Sequence, residues 1–155
     1  KICKEILRPG DTVLDIGANC GVVSLYAAVL VGAKGRVHAF EPQTNLAALI
    51  KKSAEEGGYG QITVHPVALS EKDEIMFLNI PKDNSGRATL LSNRVIPCKT
   101  IEVQAKRITD YLSSLNLGTI RLMKIDVEGY EYILLKEALN FFGKQGPLNT
   151  SGKRK

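Results

Sequence analysis

An apolar run that ends in a glycine-rich turn is the feature that most constrains the fold of this chain. Residues 13–17 read VLDIG, and the apolar stretch 22–31 follows directly after the second glycine of the turn, Gly21. This order is typical of a buried strand that leads through a tight turn into a helix. A second strand is predicted over 36–40 and is followed by Glu41. The sequence therefore predicts the first half of a parallel βαβ unit.

The carboxyl ends of parallel strands meet at one edge of an open α/β sheet, and ligands bind there where the strand order reverses. We therefore expect the turn and the acidic residue after the second strand to form one site for a nucleoside cofactor. A carboxylate at that position can accept hydrogen bonds from both hydroxyls of a ribose. The residues expected to contact the cofactor are Asp15, Gly17, Ala18, Asn19, Gly21 and Glu41.

The glycine spacing separates this turn from the dinucleotide-binding fingerprint. The chain carries Gly-x-x-x-Gly, whereas G-x-G-x-x-G uses its second glycine to let the backbone approach a pyrophosphate. Asp15 would also repel a pyrophosphate in a partly desolvated cleft. A cationic ligand suits an aspartate there, and S-adenosylmethionine carries both a sulfonium and an ammonium group. The residue types therefore favour S-adenosylmethionine, with Asp15 near its amino-acid end and Glu41 near its ribose.

Four motifs of this chain occur in the same order in a known family. They are 15–21 followed by Ser24, Ala27 and Ala28, then 39–42 with Asn45, then 67–70, and finally 124–131, which reads KIDVEGYE. On these motifs the chain resembles the FkbM family of class I methyltransferases over most of its length. The resemblance implies S-adenosylmethionine-dependent methylation of a hydroxyl on a sugar, a lipid or a secondary metabolite. It also implies that Ala68, after the third strand, borders the adenine.

Lys124, Asp126 and Glu128 alternate along the end of a strand predicted over 120–127. Residues two apart share one face of a strand, so these three are the predicted catalytic residues. Because a weakly acidic hydroxyl needs a proton acceptor, Asp126 is expected to orient or deprotonate the substrate, with Glu128 as its partner. The alternative is a buried ionic network in which Lys124 pairs with a carboxylate. Since no histidine stands beside the two carboxylates, no metal is predicted.

Other polar residues near this edge have simpler interpretations. Glu131, one helical turn further on, is expected to cap the last helix or to contact the substrate. An alternative for Asn19 is that its side chain satisfies the backbone of its own turn. His38 is predicted to lie in the core, and His65, at the end of the third strand, is a weaker candidate for a base.

Strand and helix patterns alternate along the chain and predict an α/β fold, namely a Rossmann-like, doubly wound, mostly parallel sheet with the core order 3-2-1-4. An antiparallel pair is predicted as an insertion at 75–80 and 100–104, flanking a loop at 81–86, and we expect this insertion to line the acceptor pocket. The other predicted elements are 12–16, 22–31, 36–40, 44–56, 62–65, 108–115, 120–127 and 130–142, after a short helix that ends near Arg8.

We expect one domain over residues 1–142 and a polar, basic, disordered tail over 143–155. Compared with the seven-stranded sheets of class I methyltransferases, the C-terminal strands are expected to be missing, which predicts a truncated domain. The sheet edge beside 120–127 would then be unpaired. We expect a homo-oligomer or a missing C-terminal segment to cover it.

The charge of the chain does not indicate a nucleic-acid partner. The net charge is +5, but four of the positive charges are Lys144, Lys153, Arg154 and Lys155 near the end of the chain. Three separated cysteines without a C-x-x-C pair suggest neither a disulfide scaffold nor a zinc site, so the cytoplasm is the expected location. No apolar stretch reaches the roughly 20 residues that a membrane span needs.

Two other functions stay open on the sequence. A nicotinamide-dependent oxidoreductase is disfavoured by the missing third glycine and by Asp15. A non-catalytic cofactor-binding or scaffolding remnant of the same fold is favoured by the truncation that the strand pattern predicts.

Overall fold

The computed structural model describes residues 2–81, 98–127 and 129–144. Its main sheet is formed by the strands β1 (Thr12–Ile16), β2 (Arg36–Phe40), β3 (Ile62–His65) and β7 (Ile120–Ile125). These four strands are parallel and lie in the order β3-β2-β1-β7, which confirms the predicted core. The described residues also form the helices α1 (Ile2–Ile6), α2 (Val22–Val31), α3 (Thr44–Glu56), α4 (Ile108–Ser114) and α5 (Glu131–Lys144).

Helices cover the main sheet on both faces, as expected for parallel strands that are apolar on both sides. Successive residues of β1 point to opposite faces, so Val13 and Asp15 face α2 while Leu14 and Ile16 face α4 and α5. The buried contacts on the α2 side include Val13, Ala27, Ala28, Val31 and Val37, and those on the other side include Leu14, Ile16, Phe40, Leu112 and Leu134. This alternation places Asp15 beneath α2 in the interior of the domain.

A second sheet of three strands contains the predicted insertion. β5 (Glu74–Pro81) and β6 (Cys98–Arg107) pair antiparallel, which confirms the predicted pair, and both strands are longer than predicted. β4 (Ala68–Ser70) pairs in parallel with β6 and was not predicted, because three consecutive buried residues show no alternation. Residues 82–97 lie outside the described ranges, and most of the predicted loop at 81–86 falls among them.

β7 ends at Ile125, two residues before the predicted end, and this corrects the position of Asp126. The Asp126 N–H donates to the Ile16 carbonyl at 3.0 Å, and β1 itself ends at Ile16 because Gly17 turns away with a φ of 75°. Asp126 therefore lies in the loop after the strand. Helix α5 begins at Glu131, one residue later than predicted.

β7 forms one edge of the main sheet in the part of the chain that the structure describes. The covering of this edge by a second copy or by a further segment stays a prediction. The same holds for the domain boundary at residue 142 and for the disordered tail, since residues 145–155 lie outside the described ranges. None of the described helices combines the length and the apolarity needed to cross a membrane.

Candidate functional site

The turn between β1 and α2 is built by residues in the left-handed region of backbone space. Gly17, Asn19 and Gly21 have φ angles of 75°, 53° and 83°. Glycine adopts such angles freely, and asparagine is among the other residues that adopt them most readily. The N–H groups of Gly17 and Ala18 both donate to the Phe40 carbonyl at 3.0 Å. The turn is thus attached to the carboxyl end of β2, and the predicted convergence of these two segments is confirmed.

Glycine is also required in this turn because neighbouring atoms leave no room for a side chain. A Cβ on Gly17 would collide with the Asp126 carbonyl oxygen, and a Cβ on Gly21 would lie 2.8 Å from Cγ1 of Ile50 in α3. The turn therefore lies close against the loop after β7 at one end and against α3 at the other.

Glu41 fixes the turn from the end of β2. Its Oε2 accepts the Asn19 N–H at 2.8 Å, and its Oε1 accepts the Gln43 N–H at 2.9 Å. Burial raises the pKa of Glu41 above its usual value, while the two backbone N–H groups partly offset that effect. A carboxylate oxygen has a second lone pair, so each oxygen keeps an acceptor position. The role of Glu41 toward a ribose stays a prediction that this geometry permits.

Asp15 is completely buried and already has partners within the protein. Ser24 in α2 donates its hydroxyl to Oδ2 at 2.7 Å, and Oδ1 lies 3.1 Å from Nζ of Lys124. The second contact is an ion pair, and Oδ1 accepts no hydrogen bond from the described residues. Asp15 is therefore screened by Lys124, and its predicted contact with the cofactor stays a prediction.

Lys124 connects β7 to the turn. Its Nζ donates to the Gly17 carbonyl at 2.7 Å, and it lies 3.1 Å from Asp15 and 3.6 Å from Asp126. The side chain is 24% exposed, so the ammonium reaches the cleft from a partly buried position. Pairing of Lys124 with a carboxylate, the alternative drawn from the sequence, is confirmed. The Lys124 ammonium thus orients the three oxygen groups around it. Its direct role in catalysis stays a prediction.

Asp126 presents an exposed carboxylate at the mouth of a small cleft beside the turn. Its side chain is 67% exposed, and its Oδ2 lies 3.6 Å from Nζ of Lys124. The cleft has a volume of about 160 Å³ and is lined by Gly17, Ala18, Asn19, Cys20, Val22, Val23, Lys124 and Asp126. Five of the predicted site residues are thus brought together. Glu128, the predicted partner of Asp126, lies outside the described residues.

Glu131 binds the backbone of the loop that carries Asp126. Its Oε1 accepts the Val127 N–H at 3.3 Å, and its Oε2 accepts the Gly129 N–H at 2.8 Å. A carboxylate in the first turn of α5 is also favoured by the helix dipole. These contacts give the loop after β7 a fixed path. The predicted role of Glu131, to cap the last helix or to contact the substrate, stays a prediction.

Ala68 lies in the small sheet. It opens β4, is 5% exposed, and packs with Leu78, Val103 and Ala105. It is not among the residues that line the cleft beside the turn. Its predicted position beside an adenine stays a prediction.

Two histidines and a tyrosine form a buried chain of polar contacts that sequence reasoning did not predict. His38 Nδ1 lies 3.0 Å from His65 Nε2, and His65 Nδ1 lies 3.3 Å from the Tyr111 hydroxyl. Burial lowers the pKa of both histidines, that of His65 to about 4 with a further contribution from His38. Phe40 stacks on His65 with a 4.5 Å ring separation. The core position of His38 is confirmed, and both rings are nearly inaccessible to solvent.

The family model and a curated relative that match this chain are both described as FkbM methyltransferases. Residues 15–148 match the family model described as the methyltransferase FkbM domain. The 31-O-demethyl-FK506 methyltransferase FkbM of Streptomyces tacrolimicus is 28% identical over 152 residues, which covers 81% of this chain and 58% of that protein. A probable cobalt-precorrin-6B C(15)-methyltransferase of Saccharolobus solfataricus is 36% identical over 57 residues, covering 37% of this chain and 29% of that protein.

A solved structure shows the same fold. The crystal structure of a methyltransferase FkbM from Methylobacillus flagellatus superimposes with a TM-score of 0.59 at 18% identity. The match covers 92% of this chain and 36% of that chain. This chain therefore spans little more than half the length of its curated FkbM relative, and about a third of the solved one.

Proposed function

Because this chain belongs to the FkbM methyltransferase domain family, we propose that it transfers the methyl group of S-adenosylmethionine to a hydroxyl of a sugar, a lipid or a secondary metabolite. The name of the Streptomyces relative, a 31-O-demethyl-FK506 methyltransferase, supports an oxygen acceptor. Membership of a methyltransferase family sets aside the oxidoreductase alternative. Since the chain spans 58% of that relative, the activity of the whole protein is part of the proposal.

The observation that carries the proposal is the arrangement of Glu41 around the turn. A buried carboxylate holds the Asn19 N–H on one oxygen and the Gln43 N–H on the other, at the carboxyl end of β2. Each oxygen retains one acceptor position, which suits the two adjacent hydroxyls of a ribose. The glycines of the turn let its backbone lie against the loop after β7 and against α3, where a side chain would collide. These features fit a nucleoside whose sugar lies at β2 and whose remainder follows the turn.

When bound, the cofactor supplies an electrophilic methyl group on a sulfonium. In the proposal Asp126 accepts a hydrogen bond from the substrate hydroxyl and takes its proton while the oxygen forms its new C–O bond and the C–S bond breaks. Much of the rate enhancement then comes from alignment of the two reactants. Lys124 positions the turn through the Gly17 carbonyl and keeps Asp15 paired. Glu128 keeps its predicted role as the partner of Asp126.

The location and the acceptor are also part of the proposal. Cys3 and Cys20 are free thiols, which is usual in the reducing cytoplasm, and we place the protein there. The exposed Asp126 and the small, open cleft favour an acceptor that approaches from solvent at the carboxyl edge of the main sheet.

Calorimetric titration of the chain with S-adenosylhomocysteine tests the cofactor site. We expect micromolar binding, weakened at least about tenfold in Glu41→Gln and in Asp15→Ala. In Glu41→Gln the NH₂ of the carboxamide would face one of the two backbone N–H donors, and that donor would lose its acceptor. Glu55→Gln is the matched control, because Glu55 is exposed on α3 away from the turn.

Two results would count against the proposal. One is the absence of binding by a chain that circular dichroism shows to be folded. The other is an equal loss of affinity in Glu41→Gln and Glu55→Gln, since that would show that binding does not depend specifically on the Glu41 carboxylate.

A further inference from the structure

A groove lies at the opposite edge of the main sheet from the candidate cofactor site. Its volume is about 460 Å³, and its lining includes Asp11, Thr12, Lys34, Arg36, Gly118 and Arg121. Thr12 and Arg36 begin β1 and β2, and Arg121 is the second residue of β7. The groove is therefore formed at the amino ends of the strands and is separated from the cleft by the length of the sheet.

The described lining of the groove carries more positive than negative charge. Lys34, Arg36 and Arg121 are exposed, and no carboxylate of the described residues lies within 4.0 Å of their charged nitrogens. Asp11 is the one acidic residue among the described residues of the lining, and its Oδ2 accepts the backbone N–H of Arg8 at 2.7 Å. Three cations and one carboxylate give the lining a net positive charge that attracts an anion.

The two arginines are held in place by the backbone. Nη1 of Arg36 donates to the Asn116 carbonyl at 2.8 Å, and Nε of Arg121 donates to the Ile6 carbonyl at 3.3 Å. A guanidinium has five N–H donors, so each arginine keeps several for a ligand. Because one bond already restrains each side chain, less rotamer entropy is lost when a ligand binds.

We propose that this groove binds the phosphate or diphosphate group of a small soluble ligand. Guanidinium groups match phosphate oxygens in bidentate geometry, and the ammonium of Lys34 adds a third charge for a dianion. The volume falls within the roughly 300–1,000 Å³ of small-molecule sites. A concave pocket suits a soluble molecule better than a flat lipid surface. This second site does not depend on the methyl-transfer proposal.

Titration with sodium pyrophosphate, followed by ¹H–¹⁵N NMR, tests the site on the intact chain. We expect saturable shifts at Gly10, Gly118 and Thr119 and none in the turn at 17–21. Affinity should fall at least about tenfold in the double variant Arg36→Gln/Arg121→Gln, because two charged donors are lost. Lys51→Gln/Lys136→Gln removes the same charge from exposed positions on α3 and α5 and should bind as the wild type.

The variant Lys34→Gln keeps the test valid if the double variant unfolds. Lys34 makes no hydrogen bond or ion pair with the residues that the structure describes, so its replacement should leave the fold intact and weaken pyrophosphate about threefold or more. Sedimentation with phosphatidylglycerol vesicles separates the two phosphate sources. Pyrophosphate binding without vesicle binding supports the proposal. Binding to vesicles alone, equal losses in the Lys51/Lys136 control, or no saturable shifts would overturn it.

Discussion

Lys124 and Asp15 stand directly opposite each other on β7 and β1, and their charged atoms lie 3.1 Å apart. Asp15 has no exposed surface, whereas the Lys124 side chain keeps 24% of its own. The carboxylate of β1 is thus compensated by the neighbouring strand, and the same ammonium fixes the Gly17 carbonyl at 2.7 Å. One side chain therefore couples the charge of a buried aspartate to the path of the turn.

Replacing Lys124 with methionine should destabilise the chain because it leaves Asp15 buried without its cation. Loss of one partner of a buried pair typically costs about 3–5 kcal/mol, and the partial exposure of Lys124 reduces the expected loss to about 2–3 kcal/mol. Urea unfolding gives the free energy of unfolding. Asp15→Asn/Lys124→Met should recover part of the loss, because no uncompensated charge remains. A Lys124→Met variant as stable as the exposed control Lys51→Met would contradict this account of the pair.

Gly17→Ala should be far more damaging than the same change at another left-handed glycine. At Gly17 the new Cβ meets the Asp126 carbonyl, whereas at Gly58, with a φ of 70°, no atom lies within 4 Å. Both substitutions carry the cost of a left-handed alanine, about 1–2 kcal/mol. Gly17→Ala should cost at least about 2 kcal/mol more, because the turn or the loop after β7 must shift. Thermal unfolding of the two variants measures the difference, and equal melting temperatures would show that the turn accommodates a methyl group.

The main sheet could be predicted from sequence because each of its strands is a short apolar run followed by a turn signal, as at Gly17 after β1. The side-chain contacts inside the site could not be predicted from sequence. Periodicity along one strand says nothing about the residue opposite it, so the pairing of Asp15 with Lys124 and the contact of His38 with His65 needed the register of neighbouring strands. β4 was missed because its three buried residues carry no pattern.

The end of β7 shows a second limit of the same kind. An apolar run predicts a strand up to Val127, but the strand ends where its partner β1 turns away at Gly17. The alternation of Lys124 and Asp126 still brings them to one side, with 3.6 Å between their charged atoms. The strand pattern thus predicted that Lys124 and Asp126 lie on one side, although Asp126 itself lies outside the strand.

The burial of His65, beside His38, should make stability depend on pH. The pKa of His65 is lowered to about 4 in the folded chain, against 6.5 in an unfolded one. The unfolded state therefore binds more protons as the pH falls below 6.5, and the stability that the neutral ring provides is lost progressively down to about pH 4. We expect a loss of about 2 kcal/mol over this window, less than the full shift would give, because the ring lies against the half-buried Tyr111.

Unfolding in urea at pH 7 and at pH 4.5 checks this dependence. His65→Phe keeps an aromatic ring against Phe40 and removes the titrating group, so its stability should change less between the two pH values than that of the wild type. The raised pKa of carboxylates such as Glu41 has the opposite effect on stability as the pH falls. Because the wild type and His65→Phe are compared with each other at each pH, these carboxylates contribute equally to both proteins. An identical pH dependence in the two proteins would remove His65 as the cause.

Asp126→Asn should separate methyl transfer from cofactor binding. The side chain is 67% exposed and makes no hydrogen bond to the turn within the described residues, so affinity for S-adenosylhomocysteine should change by less than about threefold. Transfer of a labelled methyl group to an acceptor found by screening hydroxyl compounds should fall about 100-fold or more, because the asparagine cannot accept the proton. Asp110→Asn, at another exposed carboxylate, is the control. Full transfer by Asp126→Asn would exclude Asp126 as the proton acceptor, and lost cofactor affinity would assign it to the binding of the cofactor instead.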